Sequence, residues 1–250
     1  MPKFFVKDNQ INGDKIIILG EDVNHIKNVL RMKIGDTFLV CNDSCLANYM
    51  VEIEKFVNNE IQCKIQEKIE TSAESNVKVH IYQGLPKSDK MELIIQKSVE
   101  LGVEKITPVE MKRCVVKLDG KDKVKKRERW QKISEVAAKQ SGRDIIPEIC
   151  NVRNVKEISE EFQNYDIVLL CYENEKENLL RGVLKQLKTG EELKVAVIIG
   201  PEGGIDSSEV EYMEQMGAKV VSLGNRILRT ETVSLTLLSI IMYEFERNEN

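Results

Sequence analysis

Residues 193–232, LKVAVIIGPEGGIDSSEVEYMEQMGAKVVSLGNRILRTET, restrict the fold more than any other part of the chain. Val195 to Ile199 is an unbroken apolar run, the pattern of a buried strand. It runs straight into Gly200, Pro201, Glu202, Gly203 and Gly204. Adjacent glycines after Pro-Glu allow positive φ and let another molecule approach the backbone. Asp206 or Ser207 is expected to cap a helix from about Ser208 to Met216, which Gly217 stops. Lys219 to Leu223 reads as a second short strand. Gly224 to Arg229 forms a second glycine loop, and Thr230-Glu231-Thr232 opens a last helix. Two strands thus end side by side in glycine loops, and in an open α/β sheet a ligand sits beyond such ends. Taken alone, GPEGG fits an ordinary βα turn equally well. The sequence has no G-x-x-x-x-G-K-[ST] and no G-x-G-x-x-G with a spaced acid. The loops are therefore expected to cradle something other than a triphosphate or a dinucleotide pyrophosphate.

The rest of the chain divides in two. Residues 1–70 read as short alternating strands: Phe4 to Val6, Lys15 to Leu19, Thr37 to Cys41, Met50 to Phe56 and Ile61 to Ile69. Asn12-Gly13-Asp14 and Asn58-Asn59 supply turns, and one helical segment, about Glu21 to Leu30, interrupts the strands. The pattern predicts a small β-barrel. His25 fits a satisfied, partly buried histidine better than a catalyst. Residues 71–76, TSAESN, lack apolar side chains and read as a linker.

From residue 77 to 250, strands and helices alternate. Val77 to Gln83 is a strand. Ser88 or Asp89 caps a helix that carries Met91, Ile94, Ile95, Ser98 and Val99 on one face and ends at Gly102. Ile106 to Glu110 is a strand. A basic helix runs from about Asp122 to Gln140 and carries Trp130 as a core residue. Ile167 to Tyr172 is a strand, and Glu175 to Leu187 a helix. The pattern is an α/β fold with a mostly parallel sheet, and by itself it predicts a plain doubly wound arrangement.

Charge is where composition matters. The net charge is −4, yet residues 111–143 hold twelve lysines and arginines against four acids. A stretch this basic inside an acidic chain is the footprint of a polyanion, and Lys112 and Arg113 are its upstream candidates for nucleic acid. The run Lys121 to Arg129, read alone, fits a solvated helix face. The six cysteines, Cys41, Cys45, Cys63, Cys114, Cys150 and Cys171, include no C-x-x-C pair, and there are two histidines. No metal site is expected, and the thiols should be reduced. No apolar run is long enough to span a bilayer, and the N-terminus does not read as a signal peptide. A cytoplasmic location is expected.

Several blocks carry a resemblance in order along nearly the whole chain. They are Phe4-Phe5-Val6, then His25 with Leu30-Arg31-Met32-Lys33 and Gly35-Asp36, then Lys97 with Glu100-Leu101-Gly102-Val103. Gln140-Ser141-Gly142-Arg143 follows, and then GPEGG with LG-x-RILRTET. Together they resemble the RsmE family of SPOUT-class methyltransferases, which methylate N3 of one uridine in small-subunit (16S) ribosomal RNA. One departure is visible: the usual alanines after RTET are Val233 and Ser234 here.

The resemblance implies a PUA-like N-terminal barrel that helps hold RNA. It also implies a C-terminal SPOUT domain tied in a deep trefoil knot, a homodimer, and S-adenosyl-L-methionine as cofactor. Residues 1–70 and 77–250 would be the two domains. The cofactor would sit among Leu170, Cys171 and Tyr172, then Ile199, Gly200, Pro201, Glu202, Gly203 and Gly204. Leu223, Gly224, Asn225, Ile227, Leu228, Arg229 and Thr230 would complete its site. Ile199, Leu223, Ile227 and Leu228 would be apolar walls, and they equally fit plain core. Arg31, Lys33 and Arg143 match family positions expected to meet RNA, with Lys87 a further candidate; Arg31 and Lys33 also fit surface charges beside a turn.

Uridine N3 carries a proton, so its methylation needs a proton acceptor and a cation for the developing charge. Arg229 is the expected cation and Glu202 the expected base, while Glu231 fits equally as an acid in a helix's first turn. Two other readings stay open from the residues. One is a non-catalytic RNA-binding protein on the same fold; the other is an α/β enzyme using a different nucleotide.

Overall fold

The computed structural model describes residues 1–42, 47–69, 73–187 and 192–246. Cys45 and the first two linker residues, Thr71 and Ser72, lie outside the described residues. The chain forms two compact units. One comprises residues 1–74 with 138–146, the other residues 75–137 with 147–250. Residues 138–146, which the sequence reading counts with the second domain, thus belong to the first unit.

The first unit is built on a six-stranded sheet: β1 (Lys3–Val6), β2 (Ile11–Asn12), β3 (Lys15–Ile18), β4 (Thr37–Asn42), β5 (Ala47–Val57) and β6 (Glu60–Ile69). The strand order is β1-β4-β5-β6-β3-β2; β1 and β4 are parallel and the other pairs antiparallel. Both expected hairpins form, with Gly13 and Asn58 at positive φ in their turns. Register shifts at Met50/Val51 and Ile53/Lys55 bend the long β5–β6 pair, as bulges do. The strands close over a core of Phe4, Ile16, Ile18, Phe38, Val51, Ile53 and Ile61. Phe4 meets Phe38 edge-on, with ring centroids 5.3 Å apart.

A short helix, α1 (Glu21–Asn24), continues into a π-type turn, His25–Val29, and seats Ile26 in that core. His25 is exposed rather than partly buried, and packs edge-on against Phe4. Residues 138–146 are held to this unit by buried ion pairs, Lys3 to Asp144 and Arg143 to Glu74.

The second unit alternates strand and helix. Its elements are β7 (Val77–Gly84), α2 (Lys90–Glu100), β8 (Lys105–Glu110), α3 (Gly120–Ser141), β9 (Glu148–Ile149), β10 (Arg153–Asn154), α4 (Val155–Ser159) and β11 (Ile167–Cys171). They continue with α5 (Leu180–Leu184), β12 (Leu193–Ile199), α6 (Ser207–Gln215), β13 (Lys219–Val221) and α7 (Thr230–Phe245). The last residues of α3, from Ala138, cluster with the first unit. The sheet order is β10-β8-β7-β12-β11-β13, with β9 beside β8, and every pairing is parallel. Central β12 reads LKVAVII because a strand flanked on both sides and covered on both faces is apolar almost throughout.

Met91, Ile94, Ile95, Ser98 and Val99 form the buried face of α2, and Gly102 ends the helix at φ 90°. Neither Ser88 nor Asp89 caps α2 through its side chain; Ser88 instead takes φ 56°. Trp130 is buried in α3. α7 packs on α2, β7 and β12, and Val233 and Ser234 are both buried in that contact face.

The helix expected over residues 175–187 is shortened to α5. The Glu175 carboxylate accepts the N–H groups of Glu177 and Asn178, so those donors serve a turn. Leu179 then bridges to Ser222 in extended conformation. No helix among the described residues is long and apolar enough to cross a membrane.

Candidate active site

Three neighbouring parallel strands, β12, β11 and β13, release their chains at the same edge of the sheet. Parallel strands align their carboxyl ends, so the three following loops converge. Residues 171–173, 199–204 and 222–230 line one cavity of about 550 Å³, together with Lys90 and Val233. A larger groove of about 830 Å³ lies between α2 and α3, away from the glycine loops.

Backbone makes up much of the cavity wall. The last turn of β7 lies hard against the GPEGG loop: a Cβ on Gly84 would stand 2.7 Å from Pro201 Cδ. Gly204 takes φ 70°, a conformation that side-chain-bearing residues rarely adopt, and a Cβ there would meet the Glu173 carboxylate. The two glycine loops are tied by Thr230. Its hydroxyl donates to Gly200 O at 2.7 Å, and Gln83 Nε2 donates to Thr230 Oγ1 at 2.8 Å. The helix α6 that follows GPEGG starts as expected, with Asp206 accepting from Ser208 N at 3.2 Å.

Fifteen of the sixteen expected cofactor positions lie on this cavity. The exception is Leu170, which is fully buried within β11. Strand alternation turns its side chain into the core, while Cys171 and Tyr172 flank the opening. Cys171 is a half-buried thiol that burial pushes up to about 12, so it acts as a neutral wall. Ile199 is buried at the base. Ile227 lines the cavity and is 87% exposed.

The charged groups are arranged differently from the sequence expectation. Lys90, the first residue of α2, places Nζ 3.0 Å from Glu202 Oε1 and 3.3 Å from Glu231 Oε2. Glu202 also accepts the backbone N–H of Lys87 at 3.1 Å. Partial burial raises the Glu202 carboxyl, but backbone N–H donors and the Lys90 ammonium outweigh it and hold the group below its ordinary value. Glu202, the expected base, is thus an ionised carboxylate held at the cavity wall by Lys90 and backbone N–H groups.

Lys90 was missed because nothing in its local pattern marks it. A lysine opening a helix opposes the helix dipole, and that violation was the available signal. Arg229 stands just before α7, exposed, and among the described residues its guanidinium has no hydrogen-bond or ion-pair partner.

Residues 73–242 match the RNA methyltransferase domain family, and residues 18–54 match an RNA methyltransferase PUA domain. The Ribosomal RNA small subunit methyltransferase E of Bacillus subtilis (strain 168) is 37% identical over 233 residues, 92% of this chain and 90% of that protein. The chain belongs to the ribosomal RNA small subunit methyltransferase E family. The methyltransferase E of Mesomycoplasma hyopneumoniae (strain 232) is 35% identical over 239 residues, covering 96% and 98% of the two chains. Among solved structures, a Ribosomal RNA small subunit methyltransferase E from Neisseria gonorrhoeae, bound to S-adenosyl methionine, aligns with TM-score 0.86 at 26% identity. That alignment covers 98% of each chain. The α/β unit and the N-terminal PUA-like unit are thus those of methyltransferase E proteins.

The expected RNA contacts of this methyltransferase E homologue fall into distinct settings. Arg31 and Lys33 are exposed, and Arg31 takes φ 55°. Lys87 is exposed, although its backbone N–H is what meets Glu202. Lys112 and Arg113 are exposed and approach Asp206 at 3.5 and 3.6 Å, with Arg113 also donating to Gly203 O. They fasten their loop to the start of α6.

Arg143, also expected to meet RNA, is 5% exposed and forks onto Glu74 within the first unit. The basic run of α3 is divided in the same way. Lys123 pairs with Glu110 and Arg129 with Glu92, while Lys121, Lys125, Lys126 and Lys132 form no ion pair among the described residues.

Proposed function

We infer that this chain transfers the methyl group of S-adenosyl-L-methionine to N3 of a specific uridine in 16S ribosomal RNA. The observation that carries the reading is the backbone-lined cavity at the ends of β11, β12 and β13. It suits an adenosine: amide N–H and C=O groups can bond the adenine edge, while Ile199, Leu223 and Leu228 cover its faces. The relatives' names support ribosomal RNA as substrate, and the Neisseria structure's bound S-adenosyl methionine supports the cofactor. N3 of uridine rests on the sequence resemblance.

The bound sulfonium supplies an activated methyl group. The protein's work is then to orient the acceptor, exclude water and handle one proton. Arg229 is the group for charge developing on the uracil ring, because it is unpaired at the cavity mouth. Arg31 and Lys33 on the first unit, and Lys87, Lys112 and Arg113 on the second, are the proposed RNA contacts. We include in the proposal the trefoil knot, a homodimer and a cytoplasmic site of action. The knot rests on the sequence resemblance; the Gln83–Thr230–Gly200 bonds tie the start of the last helix to two central strands. The exposed Ile240 and Tyr243 of α7 support a covered face.

The direct test is melting with and without S-adenosylmethionine. At ~100 times its dissociation constant the ligand adds about 2.7 kcal/mol. A stabilised protein that also labels unmethylated small ribosomal subunits, with the methyl mapped to uridine N3, meets the proposal. Absence of both stabilisation and transfer overturns it. Salt-sensitive RNA binding without stabilisation would instead mark a non-catalytic binding protein.

A further inference from the structure

Two charged residues, Lys90 on the cavity wall and Glu231 paired with it, are unexplained by cofactor binding. The first is Lys90. It opens α2 against the helix dipole, stands two residues after Ser88 at φ 56°, and is gripped by carboxylates of the GPEGG loop and of the first turn of α7. Local rules broken together at a cavity wall mark a functional position. The second is Glu231. Its Oε2 is buried and takes no hydrogen bond; Lys90 is its ion-pair partner. A buried carboxylate oxygen lacking a donor calls for one.

An ammonium has three N–H groups. Glu202 at 3.0 Å takes one of them, and Glu231 at 3.3 Å is an ion-pair partner without a hydrogen bond, which leaves N–H groups for a ligand. The imide edge of uracil presents a carbonyl acceptor, an N3–H donor and a second carbonyl acceptor. Its complement is therefore a cationic donor beside a carboxylate acceptor, the pair that Lys90 and Glu231 form. Cytosine presents a bare N3 lone pair and an amino donor on the same edge, and would set a lone pair against the carboxylate.

We propose that Lys90 and Glu231 read the imide edge of the target uracil, Lys90 donating to a ring carbonyl and Glu231 removing the N3 proton. This rests on the methyltransferase reading and deepens it. N3 forms its bond to the methyl carbon as the carbon–sulfur bond breaks. That electron pair stays on sulfur, and the N3 proton goes to the Glu231 carboxylate. Glu202 fixes Lys90 and takes no proton. The other charged groups at the cavity are Arg229 beside Glu231, Arg226 on the second glycine loop and Glu173 under Gly204.

The test compares native protein, Glu231→Gln, Lys90→Met and Lys90→Arg. Calorimetric S-adenosylmethionine affinity is read beside single-turnover transfer to unmethylated small subunits between pH 6.5 and 9.5. Glu231→Gln should keep cofactor affinity within about threefold and lose transfer by about 10²-fold or more at pH 7. The deficit should narrow as pH rises, because hydroxide then removes the imide proton. Lys90→Met should lose transfer while binding cofactor, and Lys90→Arg should recover part of it. Subunits carrying cytidine at the target should be refused by the native protein.

Native-like turnover in Glu231→Gln, or a deficit constant across pH, overturns the proton role. Equal behaviour of Lys90→Met and native protein overturns the reading role, even where Glu231→Gln fails to fold. A native protein that neither binds S-adenosylmethionine nor transfers methyl overturns the methyltransferase reading, and this inference with it.

Discussion

At the scale of single residues, the cavity separates charges that are committed from those that are available. Lys90 at the start of α2 holds Glu202 of the GPEGG loop and Glu231 of α7, whereas the Arg229 guanidinium has no partner among the described residues. An unpaired exposed cation contributes little to stability and stays free to meet charge on a reacting ring. Arg229→Ala is therefore expected to cut transfer by about 10²- to 10³-fold. It should change unfolding free energy by less than about 0.5 kcal/mol. Denaturant melts beside single-turnover rates check both parts. The Arg143 result makes the complementary point: a basic residue in a motif that resembles an RNA contact is here buried on Glu74.

At the scale of elements, the cavity exists because β7 and the GPEGG loop touch without side chains between them. Gly84 ends β7 where Pro201 begins the turn out of β12, and the two backbones meet closely. Gly84→Ala would put a methyl 2.7 Å from Pro201 Cδ and 2.8 Å from Pro201 N, against atoms that cannot rotate away. Overpacking of that kind costs about 1–3 kcal/mol. The expected result is a lower melting temperature together with weaker S-adenosylmethionine binding, because the same displacement moves residues 200–204. A variant that melts lower yet binds the ligand normally would show that the contact serves folding only.

At the scale of the whole second unit, a buried polar network crosses the sheet away from the cavity. His80 on β7 bonds Thr107 on β8 at 2.8 Å and contacts the Tyr165 hydroxyl. Tyr82 donates to Glu161 at 2.7 Å. Burial, and then the Lys105 and Arg153 charges, push the His80 imidazole well below its ordinary value. The folded state thus holds a neutral ring, while the unfolded chain protonates near the ordinary value. Proton uptake by the unfolded chain then favours unfolding, so stability falls as pH drops below about 6.5. The native melting temperature should decline from pH 7.5 to 5.5 more steeply than that of His80→Gln, which cannot take up the proton. Parallel declines in the two proteins would remove His80 as the cause.

What the sequence by itself determined is what repeats locally. Period-2 strands in residues 1–69, the apolar run of β12, the buried face of α2 and the Asp206 cap all follow from side-chain periodicity and backbone preference. So does the convergence of residues 199–204 and 222–230, since glycine loops after parallel strands point the same way. The site was legible to that extent, and Leu170 lies buried in β11 beside the cavity lining that begins at Cys171.

Only the tertiary structure decided which charges meet. Lys90 lies more than a hundred residues from Glu202 and Glu231, and Arg143 about seventy from Glu74. Attraction between charges acts through space and depends on burial, and no pattern along the chain encodes either distance. The same holds for α5, whose backbone donors went to Glu175 and whose approach was fixed by Ser222. Periodicity reports how a segment folds on itself; the partner it folds against is supplied by the packed sheet.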